Sequence, residues 1–208
     1  MDPVSRQFGY DRGTPVDRYY IERFLQSNSQ YIRGRVLEIG DDIYTQRFGG
    51  DRVRCRDIFH VHSGNPQATM VGDLATADTI PSNIFDCAIV TQTLQFIFDP
   101  LAALRTLHRI LRPAGVLLAT APALTVVSAA TDEWHRMWYW SFTPASIRAM
   151  VWKTFLPELA CIETYGNILA GVCVLQGIAV EDVDTSELEP ADSEYPVLMT
   201  IQAVKESG

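Results

Sequence analysis

The stretch VLEIGDDIYTQRFGG, residues 36–50, holds the first residues whose types and spacing suggest chemistry. An apolar run ends in Glu38 and Gly40, followed by the acids Asp41 and Asp42 and the ring of Tyr44. A strand that closes on an acid and a glycine outlines a loop for a nucleotide-like ligand, because glycine lets the backbone pass close and take positive φ. A carboxylate in such an apolar strand is costly to bury without donors, so Glu38 must meet a ligand, backbone amides or a structural partner. Further along, His62 closes DIFHVH, Asp73 and Leu74 stand in GDLAT, and Gln92 and Thr93 follow the apolar run FDCAIV. Each has a plainer reading: Asp73 as the cap of its turn, Gln92 and Thr93 as ordinary strand-end polar residues. His135 sits in the aromatic segment DEWHRMWYW, where an imidazole is either a general base or a packing or surface side chain.

Bringing these groups to one edge requires strands that end together, and the chain alternates strands with helices. RGTPVDRYYIERFLQS opens with Thr14 as N-cap, Pro15 at the first helical position and Asp17 three residues after the cap, which predicts a helix from Pro15 to about Ser27. Residues 36–39, 57–62 and 68–71 read as short strands, and YTQRFGG permits barely two helical turns between the first two. FDCAIVTQ reads as a strand buried on both faces. DPLAALRTLHRILRPAG then combines Asp99 as N-cap, Pro100 at the first helical position and an apolar stripe of Leu101, Leu104, Leu107 and Leu111. With VLLATAP as the next strand this is a βαβ crossover, so the sheet is parallel at its centre. TPASIRAMVWKTF predicts a helix starting after Thr143, ACIETYG a strand, and VLMTIQAV a last, antiparallel strand. NILAGVCVLQGIAVEDV suits a buried helix or a strand, with length favouring helix. Residues 123–142 have no sustained period and are rich in aromatics, as a long loop or lid would be, and EDVDTSELEPADSEYP reads as a solvated connection.

The bulk numbers narrow the function. At 208 residues the chain has room for one well-buried domain, and 47% apolar with 20% charged residues is a globular balance. A net charge of -8 repels a polyanion over most of the surface, so nucleic acid is not an expected partner. The N-terminus does not resemble a secretory signal and no apolar run approaches the roughly 18 residues of a membrane span, so a soluble, cytoplasmic protein without a membrane partner is expected. Cys55, Cys87, Cys161 and Cys173 are scattered without a CxxC pair, which points to buried, reduced thiols and no metal.

VLEIG, GDLAT and FDCAIVTQTLQFIFDPLAALRTLHRILRPAGVLLATAP, in this order over residues 36–122, resemble the successive motifs of the class I S-adenosylmethionine-dependent methyltransferases, particularly the small-molecule type. DRGTPVDRYYIERFL is similar to the N-terminal segment of one bacterial subgroup. The resemblance implies an α/β fold: a Rossmann-like, doubly wound seven-stranded sheet in the order 3-2-1-4-5-7-6, the seventh strand antiparallel, with helices on both faces. It implies a single methyltransferase-like domain over 1–208, with residues 1–34 as a helical cap and 123–142 as an aromatic lid. The cofactor it implies is S-adenosylmethionine, with S-adenosylhomocysteine as product, held where the strand order reverses. Glu38 and Gly40 would then lie beside the methionine moiety, the position at or near His62 would face the ribose hydroxyls, Asp73 and Leu74 would neighbour the adenine, and Gln92 and Thr93 would line the floor. His135, in the lid, becomes the candidate base. A small-molecule acceptor of secondary or cell-surface metabolism is the implied partner, and Trp134, Trp138, Tyr139 and Trp140 suit a flat or glycosidic one; a homodimer through the lid or the edge strand stays open.

Two departures qualify the cofactor. The family writes its loop as GxGxG, whereas Asp42 and Tyr44 replace the second and third glycines, so their side chains must either turn away from the pocket or occupy it. The family commonly ends its second strand in an acid, whereas DIFHVH ends in His62, and an imidazole offers one acceptor where a carboxylate offers two. That loss costs about 1 to 3 kcal/mol, unless the strand ends earlier and Asp57 is the acid. Asp41 and Asp42 would compensate by placing negative charge near a sulfonium and an ammonium, and Tyr19, Tyr20 or Tyr44 by a cation-π contact. Three functions remain: a methyltransferase, a methyltransferase-like protein whose pocket serves another reaction, and a non-catalytic binding or assembly protein.

Overall fold

Strands β1 (Gly34–Ile39), β2 (Val53–His60), β3 (Met70–Val71), β4 (Phe85–Val90), β5 (Leu111–Pro122), β6 (Ala160–Tyr165) and β7 (Leu198–Val204) join in one sheet, in the order β3-β2-β1-β4-β5-β7-β6. The five strands from β3 to β5 pair in parallel, and β7 runs antiparallel to both β5 and β6, as the sequence predicts. This computed structural model describes residues 2–129 and 133–207, so residues 130–132 of the expected lid lie outside it. Successive side chains of a strand face opposite ways, and both faces are apolar. Val36, Cys87, Ile89, Val116 and Leu118 pack with helices α1 (Val16–Ser27) and α4 (Ile168–Gln176). Leu37, Ala88, Val90, Leu117 and Ala119 pack with α2 (Pro100–Ile110) and α3 (Pro144–Val151).

The crossover helix forms as its sequence dictates. Asp99 Oδ1 accepts the Ala102 amide at 2.9 Å, a cap worth about 1 kcal/mol, and Leu104 and Leu107 are fully buried. Thr143 and Ser146 close a capping box on α3. The first helix is started differently. Thr14 does not cap it; its hydroxyl and amide both reach the Glu181 carboxylate at 2.8 Å, while Asp17 turns toward β4 and accepts Gln92 Nε2 at 3.3 Å. The ambiguous NILAG segment is helical, capped by Asn167 and ended by the left-handed Gly177.

β2 starts earlier and ends earlier than DIFHVH suggested. Its last pair with β3 is His60 with Val71, and beyond it the His62 amide donates to His60 Nδ1 at 3.1 Å, closing a turn that leaves the ladder. After β1 a single π-helical turn, Thr45–Gly49, stops at Gly50. Cys87 and Cys173 are buried, but Cys55 and Cys161 are exposed because they lie on outward-facing positions of β2 and of the edge strand β6. No helix among the described residues is long and apolar enough to cross a membrane, and no group of three or more metal-ligating side chains occurs among them.

Candidate active site

The parallel strands deliver their carboxyl ends to one edge, where β1 and β4 part because the chain crosses to opposite sides of the sheet from them. A crevice of about 540 Å³ opens there, lined among others by Gly40, His60, Asp73, Leu74, Thr93 and Ile97. Beside it lies a second chamber of about 370 Å³, bounded by Asp17, Arg18, Gln95, Ser128 and Trp138. Gln92, Phe96 and Trp134 line both cavities and form the wall between them.

Gly40 is the residue that the crevice most requires. Its φ is +91°, in the region that favours glycine, and a Cβ placed on it would meet nothing within 4 Å. Its amide donates to the Phe59 carbonyl at 3.0 Å and its carbonyl accepts Asn65 Nδ2 at 2.7 Å, which fixes the loop. The two side chains that replace glycines turn away. Asp42 forms an ion pair with Arg56 at 3.1 Å and accepts Gln46 Nε2 at 2.7 Å. Tyr44 stacks on Phe48 with ring centroids 6.0 Å apart, and its hydroxyl accepts Arg18 Nη1 at 3.2 Å. Neither lines a cavity. The charge of Asp42 is neutralised by its arginine, and the half-buried Asp41 caps the Ile43 amide at 3.0 Å.

Glu38 meets backbone amides. One oxygen accepts Tyr44 N at 3.1 Å and the other Thr45 N at 2.7 Å, so the carboxylate anchors the loop from behind. Burial pushes its pKa up to about 7, against the pull of those amides. At the end of β2 it is His60, not His62, that lines the crevice, while the His62 ring stands 6.4 Å from Trp134. Asp57 is not the missing strand-end acid. It lies three residues before His60, buried, with Arg35 Nε at 2.7 Å and Thr69 Oγ1 at 3.2 Å. Burial raises its pKa, and the Arg35 guanidinium overcomes that and holds it below the usual carboxylate range. Asp57→Asn is therefore expected to lower stability by about 2 kcal/mol, in a denaturant titration near neutral pH. Binding at the crevice should change less than threefold; a larger loss would return Asp57 to the ligand.

Asp73 lines the crevice and also caps its turn, accepting the Ala75 amide at 2.8 Å, and Leu74 is buried behind it. Thr93 donates to the Thr91 carbonyl at 2.9 Å. Gln92 has φ +45°, an uncommon value for a side-chain-bearing residue, and its amide donates to Thr120 Oγ1 at 3.1 Å. Because its Nε2 is engaged by Asp17, its Oε1 is left buried without a partner.

Besides Glu38, Asp41, Tyr44 and His62, three further candidates line neither cavity. Tyr19 donates to Glu189 under the Arg23 guanidinium, and the buried Tyr20 donates to the Leu188 carbonyl at 2.9 Å, so both serve the packing of α1. His135 is exposed and lines neither cavity, and its Nδ1 lies 2.6 Å from the Ser128 carbonyl, which can only accept, so that nitrogen holds the proton. Sequence reasoning missed Asp17, Arg18, Asn65 and Ser128, named His62 where its near neighbour His60 lines the crevice, and reached the segment 92–96 without singling out Gln95. VDRYY read as a capping box and packing tyrosines, and nothing in QTLQF marks Gln95, 2% exposed, as a chamber residue.

Seven strands in this order, with a ligand-sized crevice at the reversal point, define a doubly wound fold of the methyltransferase class. A family model described as methyltransferase domain matches residues 54–119, from β2 through most of β5, and no curated protein matches the chain. Among solved structures the chain is similar to the cyclase SpnF, at 15% identity over 95% of this chain and 84% of that one, with a TM-score of 0.58. A putative sarcosine dimethylglycine methyltransferase from Galdieria sulphuraria matches at 12% identity over 92% and 90%, TM-score 0.59. Phosphoethanolamine N-methyltransferase 2 of Haemonchus contortus, in complex with S-adenosyl-L-methionine, matches at 15% identity over 97% of this chain but 60% of that one, TM-score 0.54. At these identities the likeness shows the fold. Residues 54–119 thus match a methyltransferase domain, within a chain that has the fold of these structures and carries Asp42 and Tyr44 in the loop after β1.

Proposed function

We propose that this chain transfers the methyl group of S-adenosylmethionine to a small-molecule acceptor. The observation that carries the reading is the shared wall: one cavity of nucleoside size and a second, smaller chamber meet at Gln92, Phe96 and Trp134. The residues present suit the cofactor. Gly40 leaves open space where a Cβ would stand, and the side chains that replaced glycines lie outside the crevice. His60, Asp73 and Leu74 would hold the nucleoside end; with Nδ1 accepting the His62 amide, His60 would present an Nε2–H donor where the family commonly has a carboxylate.

When bound, S-adenosylmethionine supplies a methyl group activated on a sulfonium. The work left to the chain is to orient an acceptor and exclude water. Arg18 ties down the cap by donating to the hydroxyls of Tyr10, at 2.9 Å, and Tyr44, so the N-terminal segment covers the chamber and Tyr44 is held back from the crevice. The short turn of residues 133–137 brings Trp134 against Phe96, ring centroids 5.3 Å apart, as a lid over the shared wall. The titratable groups among the described residues of the chamber are Tyr10, Asp17 and Arg18. An acceptor that must lose a proton would pass it to the Asp17 carboxylate in place of His135.

Calorimetric titration with S-adenosylhomocysteine tests the first half of the reading, and a methyl-transfer assay over candidate acceptors the second. Saturable one-to-one binding with turnover is expected. Absence of any binding heat would overturn the proposal. Binding without transfer to any acceptor would favour a crevice repurposed for another reaction, a reading to which the fold shared with a cyclase gives weight.

A further inference from the structure

Among the described residues, five buried side-chain polar atoms lack a hydrogen-bond partner: Thr45 Oγ1, Gln92 Oε1, Gln95 Oε1, Ser128 Oγ and Trp138 Nε1. The last four belong to residues that line the same 370 Å³ chamber. Native proteins leave few such groups, because each forgoes the hydrogen bond it had with water. Four around one cavity define what would complete it. Gln92 and Gln95 present carbonyl oxygens that demand donors, Trp138 presents an N–H that demands an acceptor, and Ser128 takes either.

That pattern selects among ligand chemistries. A hydrocarbon satisfies none of the four. A carboxylate has nothing to give the two amide oxygens, and an ammonium has nothing to accept from Trp138. The charged groups at the chamber make no contrary demand, since Asp17 already accepts from Gln92, and Arg18 donates to Tyr10 and Tyr44. Hydroxyl groups both donate and accept. The four atoms come from three segments around the cavity: the turn after β4, the stretch after β5, and the residue following the short helical turn. A ring with hydroxyls around its edge reaches all of them, whereas a planar amide offers its polar atoms in one plane. Aromatic rings supply the complementary apolar surface. Phe8 stacks on Trp138 at 6.0 Å and 12°, and Phe96 meets the same indole edge-on at 4.8 Å.

We infer that the chamber binds an uncharged, polyhydroxylated ring compound of the sugar class, hydrogen-bonded to Gln92 Oε1, Gln95 Oε1, Ser128 Oγ and Trp138 Nε1 and stacked on the Phe8, Phe96 and Trp138 rings. That this compound is the methyl acceptor rests on the function proposed above; the chamber's preference for it does not.

The test is calorimetry with a panel of methyl glycosides of hexoses and deoxyhexoses, against catechol, benzoate and uracil, with and without saturating S-adenosylhomocysteine. At least one glycoside is expected to bind saturably. Gln95→Leu and Trp138→Phe should each weaken it tenfold or more while S-adenosylhomocysteine binds within about twofold of wild type. Gln95→Leu should also raise Tm by about 2 °C, since it removes a buried orphan without altering the chamber's size greatly; a glutamine kept for packing alone would not give a rise together with lost binding. The inference is overturned if only catechol, benzoate or uracil binds, if glycosides bind the variants equally, or if no glycoside binds and the four atoms are served by water. Glycoside binding without any S-adenosylhomocysteine heat would sink the methyltransferase reading and leave this one standing.

Discussion

Gly40→Val is expected to abolish useful binding of S-adenosylhomocysteine, raising its dissociation constant at least about a hundredfold, close to 3 kcal/mol. Two effects act together. At φ +91° a β-branched residue is a steric outlier, so the loop would move at a cost of about 1 to 3 kcal/mol. A residue that kept the native backbone would instead push its side chain into the open space beside β1, in the crevice that Gly40 lines. Gly40→Ala separates the two, because it brings most of the backbone strain and little of the volume. Its affinity should fall between the wild type and the valine variant. Calorimetry measures the affinities, and circular dichroism melts report the folding cost. Tight binding by a folded valine variant would mean that the ligand does not sit against this loop.

The same loop shows how far the chain could be read. Glu38 and Gly40 were legible because a buried acid and a glycine at a strand end each need a reason, and the structure supplies one for each: two amides and a positive φ. The crossover was legible because α2 carries a cap, an N1 proline and an apolar stripe in its own sequence, whereas the sheet order followed only from the family resemblance. Side-chain direction after β1 was not, since it depends on partners far along the chain. Asp42 turns away because Arg56 of β2 stands beside it, and Tyr44 because Arg18 of α1 reaches it. His60 and His62 were confused because β3 is too short to extend the ladder, a fact of pairing that no local pattern records. His135 drew attention as an imidazole among aromatics, while the chamber's own polar groups are glutamines and a serine, whose residue types carry no such signal.

Glu38 supports the second large effect. Its carboxyl is raised from the ordinary 4.5 to about 7 because burial penalises the charged form more than the Tyr44 and Thr45 amides reward it. Between those two pH values the native state binds more protons than the unfolded chain, so the Glu38 contribution is complete below about 4.5 and is lost as pH rises through about 7. The total is about 3 kcal/mol from the size of the shift. Asp57, held below the usual range, acts in the opposite sense and at lower pH, where its contribution disappears as the carboxylate is protonated. The Glu38 part is therefore isolated as the difference between wild type and Glu38→Gln in urea titrations from pH 4.5 to 8. The glutamine keeps one oxygen for the Thr45 amide, sets an NH2 against the Tyr44 amide, and cannot ionise. It should be the less stable protein at pH 4.5 and gain on wild type by about 3 kcal/mol by pH 8. Glu38→Ala leaves both amides without an acceptor and opens a cavity behind the loop, a loss of about 4 kcal/mol at low pH. Gly40 loses its backing with them, so S-adenosylhomocysteine affinity should fall in the alanine variant and less so in the glutamine one. Parallel wild-type and glutamine curves across the whole range would mean that the Glu38 carboxyl titrates normally, and that the loop is held by something other than its buried charge.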